Sequence, residues 1–226
     1  MRLRQLHDWQ VSIARAREIQ IQFAGQLVLT GSPEGVRCVA GTDVSVISQL
    51  GLARAAVVVL DYPTLTVVDS VLVEAKPEFP YVPGLLSFRE IPLLIQAFER
   101  LRVEPDLVMV DGQGYAHPRR FGLASHLGLL LDRPTIGCAK SRLCGSHDGL
   151  GEQSGEWCSL VDGDEVVGAV VRTRTGSKPL YVSCGHRIGL PSAVQWVLDC
   201  CRGYRLPEPT RLSHLASIGR LVATTG

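Results

Sequence analysis

The chain has 226 residues, 46% of them hydrophobic and 20% charged, enough to bury a full core without staples and too apolar for a disordered or fibrous class. Lys and Arg number 23 against 22 Asp and Glu, a net charge of +1, so any footprint for a polyanion has to come from local placement of charge. No window approaches about 18 uncharged apolar residues, and residues 1–10 (MRLRQLHDWQ) lack a signal's apolar core, so the protein is expected in the cytoplasm with no membrane partner.

In chain order, residues 11–27 carry apolar side chains at helical spacing and stop at Gly31-Ser32-Pro33. Three β-rich runs follow at 36–46, 53–60 and 65–75, joined by turns too short for anything but antiparallel neighbours. The pattern then alternates: helix 85–102, strand 107–110, helix 121–131, strand 135–139. Residues 144–157 read as an irregular excursion, followed by strands 166–173 and 180–183 and helices 192–201 and 209–221. We therefore expect one α/β domain over residues 1–226, with a mixed central sheet of three antiparallel strands followed by parallel strands. Seven cysteines, an odd set without CxxC, read as small buried hydrophobes, with neither a zinc site nor a disulfide framework expected.

Three apolar runs end in a charged residue: CVAGT runs into Asp43, LVMV into Asp111 and TIGCA into Lys140. Ligands of open α/β sheets gather beyond the carboxyl ends of parallel strands, so these groups can converge. Two carboxylates in one cleft call for a cation, and all-oxygen ligation suits Mg²⁺ together with a phosphodiester. The glycines of Asp111-Gly112-Gln113-Gly114 remove side chains where a nucleotide backbone would approach. An Asp capping a loop would be the plainer reading of either acid alone; with Lys140, the metal reading is preferred.

Residues 79–84 (FPYVPG) hold Tyr81 between prolines, a stiff hairpin tip whose ring suits wedging into a base stack. A Pro-rich loop with a packed Tyr is the ordinary alternative. Glu90 alone reads as a solvated helix charge. His117, in His117-Pro118-Arg119-Arg120, leads two Arg that suit phosphates, although a loop His with surface Arg explains it equally well.

With these residues in view, the chain resembles endonuclease V, the deoxyinosine-specific endonuclease family. The resemblance rests on VAGTD (39–43), PYVPGLLSFREIP (80–92), DLVMVDGQGYAHPRRFGLASHLGLLL (106–131), PTIGCAKSRL (134–143) and PEPTRLSH (207–214). It implies an RNase H-like fold and Mg²⁺-dependent hydrolysis, with Mn²⁺ as a substitute, of the second phosphodiester bond 3′ to a deoxyinosine, leaving 3′-hydroxyl and 5′-phosphate ends. It also implies Asp43, Asp111 and Glu90 as the metal's acids, His214 as a fourth member that binds a metal or the attacking water, and Lys140 near the scissile phosphate. Tyr81 matches the wedge, flanked by Pro80 and Pro83, while Gly84, Leu86, Gly112, Gly122 and Leu123 fall in segments lining the pocket for the flipped hypoxanthine. His117 belongs to the same substrate-binding set. The implied partner is inosine-containing DNA, single- or double-stranded, bound by a monomer. Rival readings are an inosine-specific ribonuclease on single-stranded RNA, a lesion-binding protein without catalysis, and a Mg²⁺-dependent nuclease without base preference.

Overall fold

The computed structural model describes residues 3–47 and 50–221. Ser12 accepts the Arg15 backbone N–H and starts α1 (Ile13–Ala24), which is shorter at both ends than its apolar spacing predicts because the cap fixes its start and Gly25 follows its end. Next comes an antiparallel meander of β1 (Cys38–Ile47), β2 (Leu52–Asp61) and β3 (Val67–Ala75), in the register Thr42↔Val57 and Ala55↔Val73. α2 (Leu86–Glu99) continues through Pro92, since its buried face of Phe88, Ile91, Leu94 and Phe98 outweighs one missing N–H. β4 (Leu107–Val110), α3 (Leu123–Leu131) and β5 (Thr135–Ala139) are buried at every position, as apolar runs enclosed on both sides should be.

The chain then forms β6 (Trp157–Asp162), β7 (Glu165–Val171), β8 (Leu180–His186), α4 (Leu190–Asp199) and α5 (Glu208–Ser217). The eight strands make one sheet in the order β3-β2-β1-β4-β5-β8-β7-β6. β1, β4 and β5 are parallel, and a second antiparallel set follows them. β6 is absent from the sequence reading because WCSLVD buries only Leu160 and shows no apolar alternation.

Side chains of alternate parity face opposite layers. Ala40, Val57, Val108 and Val110 pack under α2 and α3, and α1 adds Ile19 and Phe23 against Phe88 and Phe121. On the other face Val39, Met109, Ile136 and Val182 meet α4, while Ala56 and Val58 meet α5 through Ala216. α5 lies against the backbone of β1: a Cβ on Gly41 would fall 1.9 Å from the Pro209 carbonyl oxygen, so only glycine permits this approach.

Both outermost strands meet the sheet imperfectly. The pairing of β3 shifts register at Val59/Leu60 and that of β6 at Leu160/Val161. Asp69 of β3 is buried, and its Oδ2 accepts the backbone N–H groups of Arg102 and Val103.

Candidate active site

The parallel pairing of β1 with β4 ends at Thr42↔Val110, where the Asp111 N–H donates to the Thr42 carbonyl at 3.1 Å. Asp43 and Asp111 are therefore the next residues along two neighbouring strand segments. Asp43 ends the apolar run but not the strand; β1 continues to Ile47, close to the end of the β-rich run 36–46, because its other neighbour, β2, pairs along its full length. α5 supplies two more groups from above Gly41. His214 Nδ1 lies 3.3 Å from Asp43 Oδ2, and the Ser217 hydroxyl hydrogen-bonds the same carboxylate oxygen. One ligand atom each from Asp43, Asp111 and His214 falls within 4.8 Å of the others. From the end of β5, the Lys140 ammonium pairs with Asp111 Oδ2.

The electrostatics are those of a site short of positive charge. Burial pushes the Asp111 carboxyl up to about 7; Lys140 opposes the rise, and a hydrogen bond to Asp43 together with its charge adds to it. Glu90 of α2 is raised well above the usual carboxylate range, first by burial and then by the charges of Asp43 and Asp111, with Arg89 opposing. Two neighbouring carboxylates beside a third acid whose charged form burial disfavours make a donor set that a cation would stabilise. Asp43, Asp111 and His214 form the tight set, and Glu90 joins it through charge.

A cavity of about 360 Å³ opens directly beside these acids and shares Asp111 and Lys140 with them. Tyr81, Pro83, Gly84, Leu86, Gly112, His117, Gly122 and Leu123 all line it, whereas Pro80 does not. Tyr81 is 71% exposed. Its segment is the loop between β3 and α2, so the expected hairpin tip is corrected to a strand-to-helix connection. Gly84 sits at φ +77°, a left-handed turn where a side chain would be strained.

Two expectations around the second acid also need correction, whereas His117 lies in a loop and lines the cavity. His117 is buried: its Nε2–H donates to the Gly84 carbonyl at 2.9 Å, and its Nδ1 accepts the Arg119 N–H. Burial, then the Arg119 charge, lowers its pKa to about 4, leaving the ring neutral. The two Arg are not held out for phosphates, because Arg119 donates to Gln20 and Gly84 while Arg120 pairs with Asp162 and Glu165. Gly114 clears no path for a nucleotide either; a Cβ there would strike the Cys184 carbonyl, so this glycine serves contact with β8. Gln20, Ser87, Gln113 and residues 141–143 also line the cavity without having stood out in the sequence. Ser217 likewise went unmarked, although its place one turn after His214 on an amphipathic helix was the available clue.

A central mixed sheet with acids on adjacent parallel strands, closed by a helix carrying a further ligand, is the RNase H-like arrangement of metal-dependent nucleases. The family model for endonuclease V matches residues 21–215. An endonuclease V of Gloeobacter violaceus is 58% identical over 212 residues, covering 92% of this chain and 86% of that protein. The crystal structure of the Bacillus subtilis endonuclease V superposes with a TM-score of 0.92 at 31% identity, over 97% and 96% of the two chains. Endonuclease V of Ciona intestinalis, in complex with a 24mer DNA containing an inosine followed by a ribo-adenosine, gives a TM-score of 0.83 at 30% identity over 92% and 96%. The chain belongs to the endonuclease V family and is an endonuclease. Among the described residues, no helix is long and apolar enough to cross a membrane.

Proposed function

We propose that this chain is a DNA repair endonuclease that recognises deoxyinosine and hydrolyses the second phosphodiester bond on its 3′ side, leaving 3′-hydroxyl and 5′-phosphate ends. The observation that carries the reading is the sharing of Asp111 and Lys140 between the acid centre and a base-sized cavity, which puts recognition beside cleavage. Asp43, Asp111 and His214 would hold the ion, with Glu90 completing the acid set, and the hard oxygen donors favour Mg²⁺, with Mn²⁺ as a substitute. When bound, the ion supplies Lewis-acid activation of water and phosphate. Lys140 offsets the negative charge that grows on the phosphate.

Recognition uses other residues. The exposed Tyr81 ring, restricted by Pro80 and Pro83, fills the gap left when the weakly paired inosine is extruded. Gly84, Leu86, Gly112, Gly122 and Leu123 wall the cavity, in which hypoxanthine is read largely by backbone groups and guanine's additional amino group finds no room. Neutral His117 buttresses that wall through the Gly84 carbonyl. We take the whole chain as one catalytic domain, supported by its single sheet, acting as a monomer on single- or double-stranded DNA. Seven free thiols fit a reducing compartment, the cytoplasm.

A second reading, cleavage at inosine in RNA, is favoured by the ribo-adenosine that follows the inosine in the Ciona complex. End-labelled DNA and RNA oligonucleotides, single- and double-stranded, with and without one inosine, separate the two. A Mg²⁺-dependent nick immediately 3′ to the nucleotide that follows inosine, absent in EDTA, is the expected product. Equal cutting of unmodified strands, or binding without cleavage, would overturn the proposal.

A further inference from the structure

Gln20 lies on α1, outside every motif noted above and one residue before the stretch matched by the family model, yet it is 1% exposed. A buried amide without partners is costly, and this one has three. Its Nε2 donates to the Gly84 carbonyl at 2.9 Å and to the Phe121 carbonyl at 3.0 Å, while its Oε1 accepts Arg119 Nε at 2.5 Å. Only one orientation of the amide satisfies two acceptors and a guanidinium, so the side chain is locked.

The Gly84 carbonyl also receives His117 Nε2 at 2.9 Å and Arg119 Nη2 at 2.8 Å. Three donors thus converge on one oxygen, fixing the peptide plane at the left-handed turn that follows Tyr81. Phe121 immediately precedes Gly122 and Leu123, which line the cavity together with Gly84. One amide therefore joins two segments of the lining that no shared strand or helix ties together.

We infer that Gln20 is a positioning residue that sets the width of the base cavity and the seat of Tyr81. The inference rests on the inosine reading above. Hypoxanthine and guanine differ by one exocyclic amino group, and a cavity rejects such a small addition only if its walls cannot separate. Holding the Gly84 and Phe121 carbonyls on the same NH₂ group removes that freedom, and Arg119 closes the clamp from outside.

The test compares inosine- and guanosine-containing duplexes with wild type, Gln20→Met, Gln20→Glu and Arg119→Met. Gln20→Met keeps length and removes all three hydrogen bonds; Gln20→Glu keeps the acceptor for Arg119 and loses both donors. For both we expect KM on the inosine duplex to rise at least about tenfold while kcat stays within about twofold, with a matching fall in the inosine-to-guanosine ratio. The partly exposed Arg119→Met shifts the same quantities in the same direction, and combining it with Gln20→Met adds little, as for members of one network. Folded Gln20→Met with wild-type KM and discrimination, or an equal loss of kcat on both duplexes, overturns the inference. If Gln20→Met does not fold, unchanged discrimination in Arg119→Met overturns it. Failure of the wild type itself to prefer inosine would sink the inosine reading instead.

Discussion

The Asp43 carboxylate is held in place by α5: Ser217 bonds the oxygen that His214 faces, and Ser217 is itself fixed through its carbonyl by Ser45 Oγ at 2.6 Å and Arg54 Nη1 at 3.3 Å. Partners of this kind orient a ligand without touching the ion, and their loss typically costs about 10- to 100-fold in metal affinity. Ser217→Ala should weaken divalent-metal binding by that order while the thermal midpoint of the metal-free protein changes little; calorimetry with Mn²⁺ reads the first and a melting curve the second. Unchanged metal affinity would remove Ser217 from the site. The acids Asp43 and Asp111 were legible because each interrupts an apolar run at the same structural level. Ser217 was not, since a serine on an amphipathic helix looks like any solvated position until the opposite strand is known. Arg119 and Arg120 failed for the same reason: sequence shows a charge and not the Gln20, Asp162 or Glu165 that already engages it.

The contact of α5 with β1 decides whether His214 and Ser217 reach the acids at all. Gly41→Ala would place a methyl group 1.9 Å from the Pro209 oxygen and 2.7 Å from the Thr210 nitrogen, atoms of backbone that cannot rotate away. The helix has to lift, at a cost of about 1–3 kcal/mol, and metal affinity should fall with it. Denaturation midpoints and metal titration of the same variant check both; a stable Gly41→Ala that binds metal normally would contradict the packing described. The short central strands β4 and β5 were readable to the residue because burial on both faces writes an uninterrupted apolar run. β6 was hidden because one buried side chain in six leaves no period to detect, and its place was set by pairing with β7 instead.

Taken together, the charges make the protein's behaviour depend on pH and on metal in a linked way. Asp111 titrates near 7 in the folded chain against 3.8 for an ordinary aspartate, and Glu90 is shifted in the same direction. A carboxyl raised on folding binds more protons in the native state than in the unfolded one, so its contribution is fully present below pH 3.8 and is lost as pH rises through about 7. Across that window the metal-free protein should lose this increment of stability, while apparent metal affinity should climb because binding expels protons. Urea midpoints in EDTA at several pH values, with calorimetry in buffers of different ionisation enthalpy, measure the two trends. A metal-free stability that rises across the window, or binding without proton release, would show that the acids do not share their charge as described.

An eight-stranded sheet has two edge strands whose rows of unpaired amides are the raw material of fibrils, and on β6 Ser146 already takes up the N–H and carbonyl of Val161. Here the rows are spoiled: a register fault adjoins each margin, and a buried carboxylate on β3 would be dragged from its two N–H partners if a copy tried to zip onto that rim. Such a body can be crowded along a polyanion without its own backbone seeding a stack.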